Sequence, residues 1–344
     1  MEFTGQLFPT VYGRNLIGEL KNFVHRPYLV VTMEDLWLMF ESYFDQNLAG
    51  VYFVDSLEYD DLCKNQAKLP KHKCIIGLGG GQAIDVAKFF VWNGDRVPLF
   101  TVPTVMSVNA GFGQRTAVRF GSQVRYIGWA VPEAVYVDFD VIQKAPKYLN
   151  WSGVGDIFCY HTGMFDWKFA SERGKTEPQW PYDAFLVSQA KQVLDTVLAA
   201  VDDIHAVNEN GIRTLMNAHR WGGGAFHNAG WNCRHIEGYD HLFFYCLEYY
   251  THQHFIHGQP VCLGTFIGSA LQKNEPEKIL DAICRVGVDI RPESMGVTWD
   301  DVANAIRKMP EYTMEAGLLY TSANEIPATE EFIEECRQKI YSAY

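Results

Sequence analysis

No stretch of the 344-residue chain approaches the roughly 18 consecutive apolar residues that a membrane-spanning helix requires. Positive charge is scarce: 29 Lys and Arg stand against 41 Asp and Glu, a net charge of -12. Duplex binding rests on basic neutralisation of phosphates, so a nucleic-acid partner is excluded, and a solvated acidic surface accounts for the excess. There is no C-x-x-C pair, and the eight cysteines, at 63, 74, 159, 233, 246, 262, 284 and 336, form no short secreted framework. They read as reduced, mostly buried thiols of a cytosolic protein. The N-terminus carries Glu2 and lacks a basic region followed by an apolar core, so no leader peptide is expected and the location reads as cytoplasmic. Internal repeats, low-complexity tracts and flexible linkers are also missing.

What is present is a globular composition long enough for two domains. The chain is organised around Lys73 to Trp92. Cys74, Ile75 and Ile76 read as a buried strand, Gly77, Gly79, Gly80 and Gly81 as a tight turn, and Gln82 to Trp92 as a helix. Glycines admit positive φ and close approach, while a helix start presents unpaired N–H groups to an anion, so the implied ligand is a phosphate or pyrophosphate. A turn that merely packs closely is the competing reading. The full string, GGG-x-x-x-D-x-A-K through Asp85 and Lys88, is neither G-x-G-x-x-G nor a Walker loop.

From Met1 to Asn150, short apolar runs alternate with helical patterns, as in an α/β domain with a mainly parallel sheet. Tyr28 to Thr32, Val51 to Val54, Leu99 to Val102 and Ala134 to Val137 are expected strands; Ala117 to Phe120 and Tyr126 to Trp129, around Gly121 and Ser122, an antiparallel hairpin inserted in the sheet. After Pro146 amphipathic helical patterns dominate, with a core stripe at Ala190, Val193, Leu194, Val197 and Leu198 and a last helix capped by Thr329. Trp221-Gly222-Gly223-Gly224 follows no strand and reads as a break between helices.

The helical half holds Ser152-Gly153-Val154-Gly155-Asp156, then Glu237-Gly238-Tyr239-Asp240-His241, then His257-Gly258-Gln259-Pro260-Val261. One carboxylate and two imidazoles, Asp156, His241 and His257, would leave a divalent metal an open position, as catalytic zinc sites require. Taken singly, Asp156 could equally be a helix cap and each His a hydrogen-bonded core residue, and His254 rivals His257.

Together these motifs, in this order, resemble the superfamily of iron-containing alcohol dehydrogenases, glycerol dehydrogenase, glycerol-1-phosphate dehydrogenase and dehydroquinate synthase. The likeness runs from the GGG loop to Val261 and includes TVPT at Thr101 to Thr104 and the Asp166-Trp167 pair. It implies a Rossmann-like α/β domain, 1–146, followed by an all-α domain, 147–344, the dehydroquinate synthase-like fold. It also implies NAD or NADP held by Gly79, Gly80, Gly81 and Asp85 with Thr101, Thr104 and Ser107 alongside, and a metal held by Asp156, His241 and His257. The implied activity is oxidoreduction between a secondary alcohol or polyol, which could be phosphorylated as glycerol-1-phosphate is, and its ketone. The expected partner is a small molecule, with neither nucleic acid nor membrane, and a homo-oligomer is compatible with the sequence.

The likeness has departures. Polyol-oxidising relatives have a Ser-x-Asp where this chain reads Ser107-Val108-Asn109, which makes Asn109 a candidate catalytic residue that keeps hydrogen bonding and loses charge. Iron-binding relatives carry a His four residues after the ligand Asp, and relatives with phosphorylated substrates a Lys there; this chain has Tyr160, and Tyr245 four residues after His241. The metal is therefore expected to be zinc, with iron the alternative, and any phosphate would fall to Arg115, Arg234 or His235. Glu34 and Asp35, after the first strand, come late for a ribose contact and leave NAD against NADP open. A dehydroquinate synthase-type cyclase remains as an alternative, though its relatives use a glutamate ligand and lysines in a segment where this chain has none between Thr101 and Gln143. A non-catalytic nucleotide-binding protein is the other.

Overall fold

Strands buried on both faces can only sit inside a sheet covered on both sides. That is the state of Tyr28–Thr32, Cys74–Gly79 and Leu99–Pro103, every residue of which is buried. In the computed structural model, which describes residues 8–121 and 123–344, the strands are β1 Thr10–Gly13, β2 Tyr28–Thr32, β3 Leu48–Phe53, β4 Cys74–Gly79, β5 Leu99–Pro103, β6 Thr116–Phe120, β7 Gln123–Ile127 and β8 Ala134–Asp138. Glu2 and Ser122 lie outside the described residues.

Six strands form one sheet in the order β1-β8-β5-β4-β2-β3, all parallel. Side chains alternate between two cores: Leu29, Val31, Ile75 and Leu99 face one, Tyr28, Val30, Ile76 and Phe100 the other. The chain leaves β2 toward β3 and returns past β2 to β4, so the order reverses between β2 and β4. Ligands of open α/β sheets bind outside the strand carboxyl ends at such a reversal. The glycine loop leaves β4 at that point.

Two expectations change. The hairpin β6–β7 is a two-stranded sheet of its own, paired Thr116 to Ile127 through Phe120 to Gln123, and is not inserted in the main sheet. The glycines 222 to 224 do not break a helix; they lie inside the helix Glu209–Asn228. A Cβ on Gly223 would stand 1.9 Å from the carbonyl oxygen of Phe112, so glycine serves close backbone approach there.

The chain divides into two compact units: residues up to Asn150 with His219–His227, and Trp151–Ala218 with Asn228–Tyr344. The second is helical. Helix Ala184–Ala199 is capped by Asp183, which accepts from the N–H groups of Phe185 and Leu186 at 2.9 and 3.1 Å; Glu330–Ala343 is capped by Thr329, as its sequence predicts. Its centre is the helix Gly258–Gln272, buried along almost its whole length and packed against Tyr239–Thr251, Pro276–Val286 and Tyr160–Glu172. A helix apolar all round belongs there. Its hydroxyls are satisfied internally, Thr265 donating to Val261 O at 2.8 Å and Ser269 to Thr265 O at 2.6 Å. No helix among the described residues is long and apolar enough to cross a membrane. All eight cysteines are free.

Candidate metal centre and cofactor loop

In the first unit, the loop between β4 and the helix Gly81–Trp92 is tight because three glycines make it so. Gly79 adopts φ +152°, and a Cβ on it would lie 2.7 Å from the Ala83 Cβ; one on Gly81 would lie 2.7 Å from Val108 Cγ2. A Cβ on Gly80, the residue before the helix, would touch only Val105, at 3.4 Å. Gly79 and Gly81 therefore satisfy packing, and Gly80 keeps a backbone face clear in front of the helix start. No acidic residue occupies the first turn, which suits an anion at the positive end of the dipole.

The remaining residues expected beside a cofactor are dispersed around this loop. The Thr104 N–H donates to the Gly79 carbonyl at 3.1 Å, tying the TVPT segment to the turn. Thr101 is fully buried in β5, on the same face as Leu99. Ser107 is half-buried, and Asn109 opens the short 3-10 turn Asn109–Phe112. Asp85 faces inward: its carboxylate meets the Lys88 ammonium at 2.7 Å, and that ammonium also donates to Gly113 O and Arg115 O at 3.1 and 2.6 Å. Glu34 and Asp35 are the first-turn acids of the helix Glu34–Phe40, where carboxylates complement the helix dipole.

In the second unit, Asp156, His241 and His257 come together, one potential ligand atom from each lying within 4.8 Å of the others. Asp156 Oδ1 stands 3.0 Å from His257 Nε2. Two glycines make this proximity. Gly155, just before Asp156, would with a Cβ come within 2.6 Å of the Gly258 Cα, and Gly258, just after His257, would meet the Ser152 carbonyl oxygen at 1.7 Å. Two backbones thus touch through glycine and carry their neighbouring side chains to one point. The rival His254 is engaged elsewhere, since its Nδ1 lies 3.0 Å from Glu248 in an exposed pair.

His241 is fixed from behind. Asp240, wholly buried, faces His241 Nδ1 at 2.5 Å and accepts the His241 backbone N–H at 2.6 Å, while its other oxygen accepts the Thr162 hydroxyl. With Nδ1 so engaged, Nε2 is the nitrogen left for a ligand's role, the usual carboxylate–histidine arrangement behind a metal. The helix Tyr239–Thr251 that carries both residues is anchored by Asp166, which accepts the N–H groups of Tyr239 and Ser322 at 2.8 and 2.7 Å. Sequence reasoning named Asp240 and Asp166 only as members of motifs. An acid directly before a histidine in the first turn of a helix was the available signal for Asp240.

Burial opposes a charged His241, but the hydrogen bond to Asp240 and the charges of Asp240, Glu237 and Asp156 outweigh it, so its imidazole is pushed up to about 9. A metal needs the neutral ring, so below that value binding must expel a proton. Metal affinity is therefore expected to rise with pH, by about tenfold per unit from pH 6 to 8 for one displaced proton. Calorimetry of zinc binding in buffers of different ionisation enthalpy checks this; release of no proton at pH 7 would remove the role given to Asp240.

The candidates for phosphate recognition have other engagements. Arg234 is completely buried, holds Glu177 through two bonds of 2.8 Å and donates to Tyr320 O at 2.6 Å. His235 is buried beside Tyr160 and Trp167, and burial pushes its imidazole down to about 3, so it is neutral. Arg115 belongs to the first unit and donates to the Tyr126 carbonyl at 3.0 Å.

Residues 46–146 match the family model of iron-containing alcohol dehydrogenases. A glycerol-1-phosphate dehydrogenase [NAD(P)+] from Thermofilum pendens is 30% identical over 293 residues, 82% of each chain. Among solved structures, a probable glycerol dehydrogenase from Sinorhizobium meliloti 1021 superposes with a TM-score of 0.74 at 18% identity, covering 97% of this chain and 96% of that one. The glycerol dehydrogenase of Schizosaccharomyces pombe gives 0.70 at 17%, covering 97% and 92%.

Proposed function

Since the chain belongs to the iron-containing alcohol dehydrogenase superfamily, alongside its glycerol-1-phosphate dehydrogenases, we propose that it is a metal-dependent NAD(P) oxidoreductase interconverting a polyol or secondary alcohol and its ketone. The observation that carries this reading is the Asp156, His241 and His257 cluster, brought together by paired glycines in a chain that also has a glycine loop at the sheet's reversal point.

In this reading Asp156, His241 and His257 hold the metal, Gly79 to Gly81 cradle the pyrophosphate of NAD(P), and the TVPT segment with Ser107 lies along the cofactor. The bound groups supply Lewis-acid stabilisation of charge on an oxygen and hydride exchange with a carbon. The protein's own part is to hold and orient. Asp240 fixes the His241 ring, the buried Thr162 hydroxyl fixes Asp240, and the Asn109 amide offers hydrogen bonds without charge. One carboxylate and two imidazoles, with the Tyr160 phenol four residues after Asp156, favour zinc over iron. The domains proposed are 1–146 for the cofactor and 147–344 for metal and substrate, in a cytoplasmic enzyme whose partner is a small alcohol or ketone.

The test is absorbance of the reduced nicotinamide with a panel of ketones. Turnover is expected with the metal-loaded protein, to vanish on chelation, and to return with zinc. Retained turnover after chelation, or in Asp156→Ala, would sink the metal assignment.

A further inference from the structure

One helical turn carries two kinds of metal donor. Asp156 stands in the first turn of the helix Gly155–Phe158 and Cys159 follows it by three residues, a spacing that puts both side chains on one face. Asp156 belongs to the ligand set described above. Cys159 belongs to another: its sulfur, one carboxylate oxygen of Asp240 and one ring nitrogen of His241 all lie within 4.8 Å of one another. All three residues are buried, Cys159 and Asp240 completely. Among the described residues, Cys159 is the one cysteine with two further potential ligands so placed.

The backbone holds this set in place. The Cys159 N–H donates to Gly155 O at 3.1 Å, and the Cys159 carbonyl accepts the Gly163 N–H at 2.9 Å and the Thr162 hydroxyl at 3.2 Å. The same hydroxyl reaches the Asp240 carboxylate. Behind Asp240, Gly264 lets the helix Gly258–Gln272 press close, since a Cβ there would stand 2.6 Å from the Asp240 carbonyl oxygen. Thiol and carboxylate are therefore kept within reach of each other by two packed segments.

We infer that Cys159, Asp240 and His241 form a second cation position, which takes a thiophilic divalent ion of the cadmium or zinc kind and is separate from the position at Asp156, His241 and His257. Thiolate is a soft donor and carboxylate a hard one, so the two sets favour different ions. Bonds of about 2.0–2.3 Å in a tetrahedral site space its ligand atoms about 3.4–3.6 Å apart. Closing the set around an ion therefore draws Cys159 in and opens the 2.5 Å contact between Asp240 and His241. The Cys159 thiol gives its proton to solvent as the sulfur takes the metal bond. One thiolate and one carboxylate then balance the divalent ion beside a neutral imidazole, so the buried cluster carries no net charge. Because both sets draw on His241, an ion in one weakens binding in the other. The inference concerns binding alone and stands apart from the oxidoreductase reading.

Cadmium titrated into the metal-free protein tests this. A thiolate-to-cadmium charge-transfer band should grow in the ultraviolet difference spectrum and saturate, and X-ray absorption should show sulfur in the first shell of the ion. Cys159→Ser should lose both signals, and its affinity for cadmium should fall by at least about tenfold, the lower scale for losing even an outer-shell partner of a metal. Manganese, a hard ion suited to oxygen donors, should bind the variant and the wild type alike. A cadmium first shell of nitrogen and oxygen alone overturns the inference. A band that persists in Cys159→Ser also overturns it, by assigning the sulfur to another of the eight free cysteines. Equal loss of manganese binding would make Cys159 a support of the Asp156 set and overturn the separate position. If Cys159→Ser fails to fold, Cys159→Ala removes the sulfur without burying a new hydroxyl, and the sulfur signal of the wild-type protein decides without any variant.

Discussion

Replacing Gly258 by alanine is expected to cost about 3 kcal/mol or more of stability, the upper range for overpacking, and to abolish metal binding. The added carbon would lie 1.7 Å from the Ser152 carbonyl oxygen and 2.6 Å from its carbon. Both obstacles are backbone, so no rotamer change can make room. Movement has to come from the chain itself, either at Ser152 or at the start of the buried helix Gly258–Gln272. Either shift separates His257 from Asp156, because each stands next to a glycine of the touching pair. Gly155→Ala should do the same to a lesser degree, since its Cβ would stand 2.6 Å from the Gly258 Cα. Denaturant unfolding of the metal-free protein measures the first effect, and competition with a chromogenic chelator for zinc the second. Wild-type stability together with wild-type zinc affinity would show that backbone contact does not set the ligand geometry.

That expectation marks how far the sequence alone could go. That Asp156, His241 and His257 meet follows motifs that stand in a fixed order along the chain, whereas the agent of their meeting leaves no such trace. A glycine beside a candidate ligand looks the same in sequence whether it ends a helix, turns a loop or clears space. Gly223 is the clearest case: read as a helix break, it lies within a helix and clears the Phe112 carbonyl. The strands β2, β4 and β5 announced themselves as apolar runs, but β1, Thr-Val-Tyr-Gly at the sheet edge and only partly buried, carried no such run. Arg234 could be placed on either side of the argument until its partner, Glu177, came into view 57 residues away. Pairings across such separations leave no local pattern.

The buried Asp85–Lys88 pair decides what Asp85 does. Both side chains are buried, Lys88 almost completely, and Lys88 also ties the helix Gly81–Trp92 to the carbonyls of Gly113 and Arg115. Removing one member strands the other, which typically costs about 3–5 kcal/mol, whereas replacing both by apolar residues of similar volume is often nearly neutral. Lys88→Ala should therefore be strongly destabilised, and the double variant Asp85→Leu/Lys88→Met much less. Burial already raises the Asp85 carboxyl and Lys88 opposes that rise, so in Lys88→Ala it should rise further. A carboxyl held above its unfolded value contributes most below the unfolded range and loses that contribution as pH climbs through its folded value. The deficit of Lys88→Ala should accordingly widen from acid toward neutral pH. A direct cofactor contact by Asp85 predicts something different: Asp85→Asn would weaken NAD(P) binding while stability stayed near wild type. Unfolding curves and cofactor titrations on the same variants separate the two. Loss of stability first, with affinity following only as far as the loop loosens, would identify the pair as the brace that holds the glycine turn in place.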